Sequence, residues 1–153
     1  MKNTLLEEQE SVRVGISSCL LGQNVRFDGG HKRDTFLAEI FGRYVQWIPV
    51  CPEMEIGLGV PRETLRLVDI NGDVRLIAAN SGVDHTEKMK SWSDERTEQL
   101  AKQNLCGYVF KRKSPSCGME RVNVYNEKYS HPYLSEQVYL DPHPPELMLL
   151  NQI

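Results

Sequence analysis

Three apolar runs in this chain each reach a cysteine with proline or glycine close by. Val12 to Ser18 leads to Cys19-Leu20-Leu21-Gly22, Tyr44 to Val50 leads to Cys51-Pro52-Glu53, and Tyr108 to Lys111 leads to Ser114-Pro115-Ser116-Cys117-Gly118. Short apolar runs bounded by turn residues read as buried strands. Between them lie stretches with helical periodicity, and strands alternating with helices predict an α/β sheet that is mainly parallel. In such a sheet the carboxyl ends of neighbouring strands converge and ligands collect there. The pattern therefore carries three thiols, far apart in sequence, to one edge of one sheet.

The rest of the chain fits that frame. Residues 31–42 read as a helix, with Phe36, Leu37, Ile40 and Phe41 on one face. Leu65 to Asp69 and Val74 to Ile77 flank Asn71-Gly72, a strong hairpin signal. Residues 84–105 form the clearest helix, with Asp84 and Glu87 spaced for a capping box. Val122 to Tyr125 is a further short strand. The fold class is Rossmann-like α/β: a mostly parallel sheet flanked by helices, with a small antiparallel hairpin. Residues 1–11 read as a polar leader, 12–127 as the domain, and 128–153 as a proline-rich, turn-rich tail.

Composition removes several function classes. The chain has 153 residues, 40% of them apolar and 25% charged, with a formal net charge of −3. That charge gives no broad nucleic-acid footprint, although Lys111, Arg112 and Lys113 form a local basic patch. No stretch approaches the ~20 apolar residues that span a bilayer, and the first residues lack the apolar core of a signal peptide. The expected location is the cytoplasm, where cysteines serve as thiols or ligands more often than as a disulfide framework.

The residues alone leave several readings of the thiols open. Free cysteine is often a buried, inert packing residue. Structural zinc usually brings paired Cys-x-x-Cys ligands, and none occurs here. A nucleophilic cysteine wants a nearby histidine, and no histidine is tied to one by sequence. An iron–sulfur cluster accommodates three separated thiolates best, since a cubane held by three leaves its fourth iron open to act as a Lewis acid. Cys106, at the end of the long helix, reads as a packing residue. Trp47 and Trp92 read as core residues, with stacking on a base as their functional alternative. Arg26 and Asp28 suit either a loop ion pair or contacts to the edges of a substrate.

In order along the chain, Ser17-Ser18-Cys19-Leu20-Leu21-Gly22, Val25-Arg26-Phe27-Asp28-Gly29, Cys51-Pro52-Glu53 with Gly57-Leu58 and Pro61-Arg62, and Ser114-Pro115-Ser116-Cys117-Gly118 resemble the thiouracil desulfidase (TudS-like) family. The resemblance implies a [4Fe-4S] cluster held by Cys19, Cys51 and Cys117, and non-redox removal of sulfur from a thiolated nucleobase or nucleoside. It implies catalytic roles for Glu53 and for Ser114, with Ser116 as the less favoured match and as a substrate contact beside Arg26 and Asp28. The tail resembles the extreme end of a companion domain found in two-domain relatives that act on thiouridine in tRNA. Its shortness weakens the expectation of tRNA binding. The rival expectations are a non-catalytic cluster- or metal-binding module, a remnant of a longer enzyme, and a cluster-free protein whose thiols merely pack.

Overall fold

The computed structural model describes residues 11–119 and 122–126. The tail from 128, with its resemblance to a companion domain, and nearly all of the leader lie outside the described residues.

The architecture is α/β. The first strand, β1 (Val12–Ser17), is exposed at its start and fully buried from Val14 onward. It pairs in parallel with β2 (Val45–Val50) on one side and β5 (Gly107–Val109) on the other, so it is the central strand of a parallel sheet. Pro49 lies within β2, opposite Ile16. A residue without an N–H is tolerated there because β2 is an edge strand. Gly15 faces Tyr108 across the ladder, and a Cβ on Gly15 would stand 2.1 Å from the Tyr108 ring. The ring therefore lies directly on the glycine backbone, and Phe110 stacks on it at 4.3 Å between centroids. No larger residue fits at position 15 without displacing the Tyr108 ring.

A second sheet carries the antiparallel hairpin that the sequence predicts. Strands β3 (Leu65–Ile70) and β4 (Asp73–Ala78) turn over Asn71-Gly72, and Asp69 accepts the Gly72 N–H at 2.7 Å. Strand β6 (Val124–Asn126) pairs with β3 in parallel. The described strands thus divide between two three-stranded sheets. Helix α2 (Thr86–Ala101) joins their cores. Met89 packs with Leu67, Val74, Leu76 and Val124, Leu100 packs with Val50, and Trp92 touches both groups. No helix among the described residues is long and apolar enough to cross a membrane.

Several local expectations are modified. The helix expected over 31–42 is a single wide turn, Phe36–Ile40, followed by a tight turn, Phe41–Arg43. Phe36 and Ile40 stay more than half exposed, so the apolar face has little against it to sustain a regular helix. Helix α2 is shorter than 84–105. Asp84 does accept the Thr86 N–H at 2.8 Å, but Glu87 pairs with Arg75 at 3.3 Å instead of closing a capping box. The helix gives out at Ala101, and Asn104 takes a left-handed backbone before β5 begins. Cys106 is exposed and does not pack. Trp92 is half-buried and donates to Glu55 at 3.1 Å, and Trp47 is also half-buried.

Candidate active site

The parallel sheet delivers its three cysteines to one place. Cys19 lies in the tight turn Ser18–Leu21 that follows β1 directly. Cys51 is the first residue after β2, its extended backbone opening the short helix α1 (Pro52–Glu55), whose fixed first residue is Pro52. Cys117 lies in the loop beyond β5. That loop closes through the Gly118 N–H on the Ser114 carbonyl at 2.9 Å, and a Cβ at Gly118 would come within 2.6 Å of that oxygen. All three thiols line one cavity of about 260 Å³, and none is in a disulfide.

Around them runs a chain of short polar contacts. The Ser116 hydroxyl donates to Glu53 Oε1 at 2.5 Å, and the other carboxylate oxygen, Oε2, receives the Cys51 thiol at 3.5 Å. Ser114 Oγ lies 3.2 Å from Ser116 Oγ, accepts the Cys117 N–H at 3.3 Å and meets the Cys117 sulfur at 3.1 Å. Both serines are buried. The sequence Cys51–Glu53–Ser116–Ser114–Cys117 is thus continuous in space. A carboxylate locked between a hydroxyl and a thiol cannot swing freely, so its orientation is fixed before any ligand arrives.

Burial pushes each of the three thiols upward in pKa. For Cys51 the value rises to about 12, through desolvation first and the Glu53 charge second. Desolvation is likewise the main cause at Cys19, followed by the opposing pull of Lys111, and at Cys117, followed by the charge of Glu53. These thiols need a positive centre to draw out their thiolate forms, and such binding releases protons. No three His, Cys, Asp or Glu side chains among the described residues close on one point as a single ion would demand. A cubane makes a different demand. Each thiolate takes its own iron, so the sulfurs stand around a body instead of meeting at a point. Three reduced thiols on the wall of one cavity fit that donor set.

The burial difference has a direct chemical consequence. At pH 8 in the metal-free protein, iodoacetamide is expected to alkylate exposed Cys106 at least about tenfold faster than Cys51 or Cys117, because the thiolate is the reactive form. Peptide mass mapping over time measures this. Equal rates at all sites would contradict the described burial.

The remaining predicted contacts divide. Arg26 lines the cavity, with its guanidinium 5.4 Å from the centre of the Phe27 ring and 3.9 Å from Asp28. Asp28 lies off the cavity wall. It caps its own turn by accepting the Gly30 N–H at 3.0 Å. Ser116 also lies off the wall and stands behind Glu53, so its reach is to the carboxylate and not to the cavity. Arg62 borders the cavity but is committed to the Gly59 and Val25 carbonyls at 2.7 and 2.9 Å. Neither tryptophan lines the cavity; the aromatic side chain that does is Phe27. Lys111 and Lys113 place the basic patch at the cavity. Sequence reasoning placed Ser17 in a motif but gave it no role; it is buried and 3.5 Å from the Cys117 sulfur. A serine ending a strand carries no signal that would have marked it.

The sequence pattern of the 2-thiouracil desulfurase family matches residues 14–138, which spans the strands, the cavity and all three cysteines. The chain belongs to the 2-thiouracil desulfurase family. Among solved structures it is similar to a [4Fe-4S]-dependent thiouracil desulfidase, TudS, with 26% sequence identity and a TM-score of 0.62 over 84% of this chain and 80% of that one. No curated protein matches.

Proposed function

We propose that this chain removes the sulfur of a thiolated pyrimidine, as thiouracil or thiouridine, with water as the co-substrate and no net redox change. Cys19, Cys51 and Cys117 hold a [4Fe-4S] cluster in this reading, which the likeness to a [4Fe-4S]-dependent thiouracil desulfidase supports. The observation that carries it is the joining of three reduced thiols and a pre-oriented carboxylate on one cavity in a chain of this family. When bound, the cluster supplies a thiophilic iron with an open position that polarises the carbon–sulfur bond.

The protein's own groups do the rest. Replacing thiocarbonyl sulfur with oxygen consumes one water and releases its two hydrogens with the sulfur, as hydrogen sulfide or its anion. A proton must therefore leave the water oxygen and another group must carry it. Glu53 is the carboxylate on the cavity wall beside the thiols, and Ser116 holds it in one orientation. Ser114, also on the wall, presents a hydroxyl that can orient the pyrimidine or the water. Phe27 offers a face for the ring, and Arg26 beside it offers planar donors for a carbonyl edge or a phosphate. Lys111 and Lys113, also on the wall, add positive charge that would suit the phosphate of a nucleotide.

The test is anaerobic reconstitution with iron and sulfide, followed by incubation with 2-thiouracil, 4-thiouridine and thiolated tRNA without added reductant. Loss of thiocarbonyl absorbance with stoichiometric sulfide release is the expected result for at least one of them. A reconstituted, brown protein that turns over none of the three would overturn the reading. Turnover only in the presence of a reductant would overturn its non-redox part.

A further inference from the structure

We infer that Ser17 is a positioning residue that donates a hydrogen bond to the Cys117 sulfur and so tunes the electron density that sulfur shares with a bound [4Fe-4S] cluster; this rests on the ligand assignment proposed above. Ser17 is the last residue of β1 and only 2% exposed. A buried hydroxyl needs partners for both its proton and its lone pairs. Its acceptor side is taken by the backbone N–H of Lys111, at 2.9 Å, where the chain leaves β5 and passes beside the end of β1. A serine has one proton to give, and the acceptor in reach of it is Cys117 Sγ at 3.5 Å, an ordinary separation for a bond to sulfur. The backbone donor therefore sets the rotation of the hydroxyl and aims its proton at the sulfur.

Ser114 also touches that sulfur, at 3.1 Å, but its oxygen is shared with the Cys117 amide and with Ser116, which ties it to Glu53. Ser17 has no such competing claim among the contacts of the described residues. A donor on a ligating sulfur stabilises negative charge there. The reduced cluster carries one more negative charge than the oxidised cluster, so the bond favours reduction and raises the potential. Removing the hydroxyl lowers it. A purely structural role, fastening β1 to the segment after β5, would change folding stability and leave the potential alone.

The experiment uses the reconstituted full chain, in wild-type form and as Ser17→Ala and Ser17→Thr. The reduced fraction at a fixed applied potential is read by electron paramagnetic resonance, with iron per chain and the melting temperature of the metal-free protein measured alongside. Ser17→Ala is expected to lower the ratio of reduced to oxidised cluster about tenfold, equivalent to about 59 mV for one electron. Ser17→Thr should stay within about twofold of wild type. A Ser17→Ala ratio within about twofold of wild type overturns the inference, even if its melting temperature falls. If Ser17→Ala does not fold, the isosteric pair Ser17→Thr and Ser17→Val decides on the same criterion. Failure of the wild-type chain to bind iron would instead strike the ligand assignment itself, so the two failures are distinguishable.

Discussion

Alanine at position 51 is expected to leave this chain without a stable cluster and without measurable desulfuration. The argument begins with the cost of the thiolate. Burial and the Glu53 carboxylate hold the Cys51 thiol up to about 12, so its proton is released only when a metal bond more than compensates. In the proposed three-thiolate site every anchor would be needed, because one iron would already lack a protein ligand. With one thiol gone, two irons lack a protein ligand and the cluster is open to water and oxygen. Iron per chain is expected to fall from about four to below about one, and turnover at least about hundredfold. Cys19→Ala and Cys117→Ala should behave alike, and Cys106→Ala should match wild type in both measurements, since Cys106 is exposed and off the cavity. The metal-free Cys51→Ala protein should still fold, because only a half-buried thiol is removed. Circular dichroism of the metal-free form therefore separates ligand loss from unfolding. Full iron content in any of the three cavity variants would contradict the assignment.

What the sequence made legible, and what it did not, follows from the range of the forces involved. The strand ending at Cys19 announces itself through its apolar run, because a central parallel strand is buried on both faces. Asn71-Gly72 announces the hairpin because few residues accept its backbone angles. These are local signals with local causes. The stretch 31–42 shows the opposite case. Its apolar spacing records a periodicity, but a regular helix also needs a surface to bury that face, and Phe36 and Ile40 remain largely exposed. The same limit governs the site. Asp28 and Ser116 sit in motifs with the right neighbours, yet one is taken by its own turn and the other by Glu53, and both choices depend on atoms close at hand in space. Ser17 stood in a motif, but its contacts were not legible because its partners, Lys111 and Cys117, lie far along the chain. Phe27, not a tryptophan, lines the cavity, while Trp92 packs against both cores.

Glu53→Gln is expected to keep the cluster and lose the reaction. Glutamine preserves the shape of the side chain, and its carbonyl oxygen can still accept the hydrogen bond from the Ser116 hydroxyl, whose oxygen lies 2.5 Å from Oε1. What it cannot do is take up a proton from water or return one to a leaving group. Proton transfer of this kind contributes about 10²–10⁴ to a rate, so kcat for thiouracil should fall by about that factor while iron content stays near wild type. KM should move little if the carboxylate acts on the proton and not on the pyrimidine. Ser116→Ala makes the complementary prediction. It leaves the carboxylate chemically intact but frees it from the hydroxyl that fixes one oxygen while the other lies 3.5 Å from the Cys51 sulfur. A carboxylate that samples several orientations spends less time in the productive one, so a smaller loss of about tenfold is expected, again in kcat. Because Ser116 acts through Glu53, the double variant should be no worse than Glu53→Gln alone. Additive losses in the double variant would show that Ser116 contributes independently, and an unchanged kcat in Glu53→Gln would remove the carboxylate from the chemistry altogether.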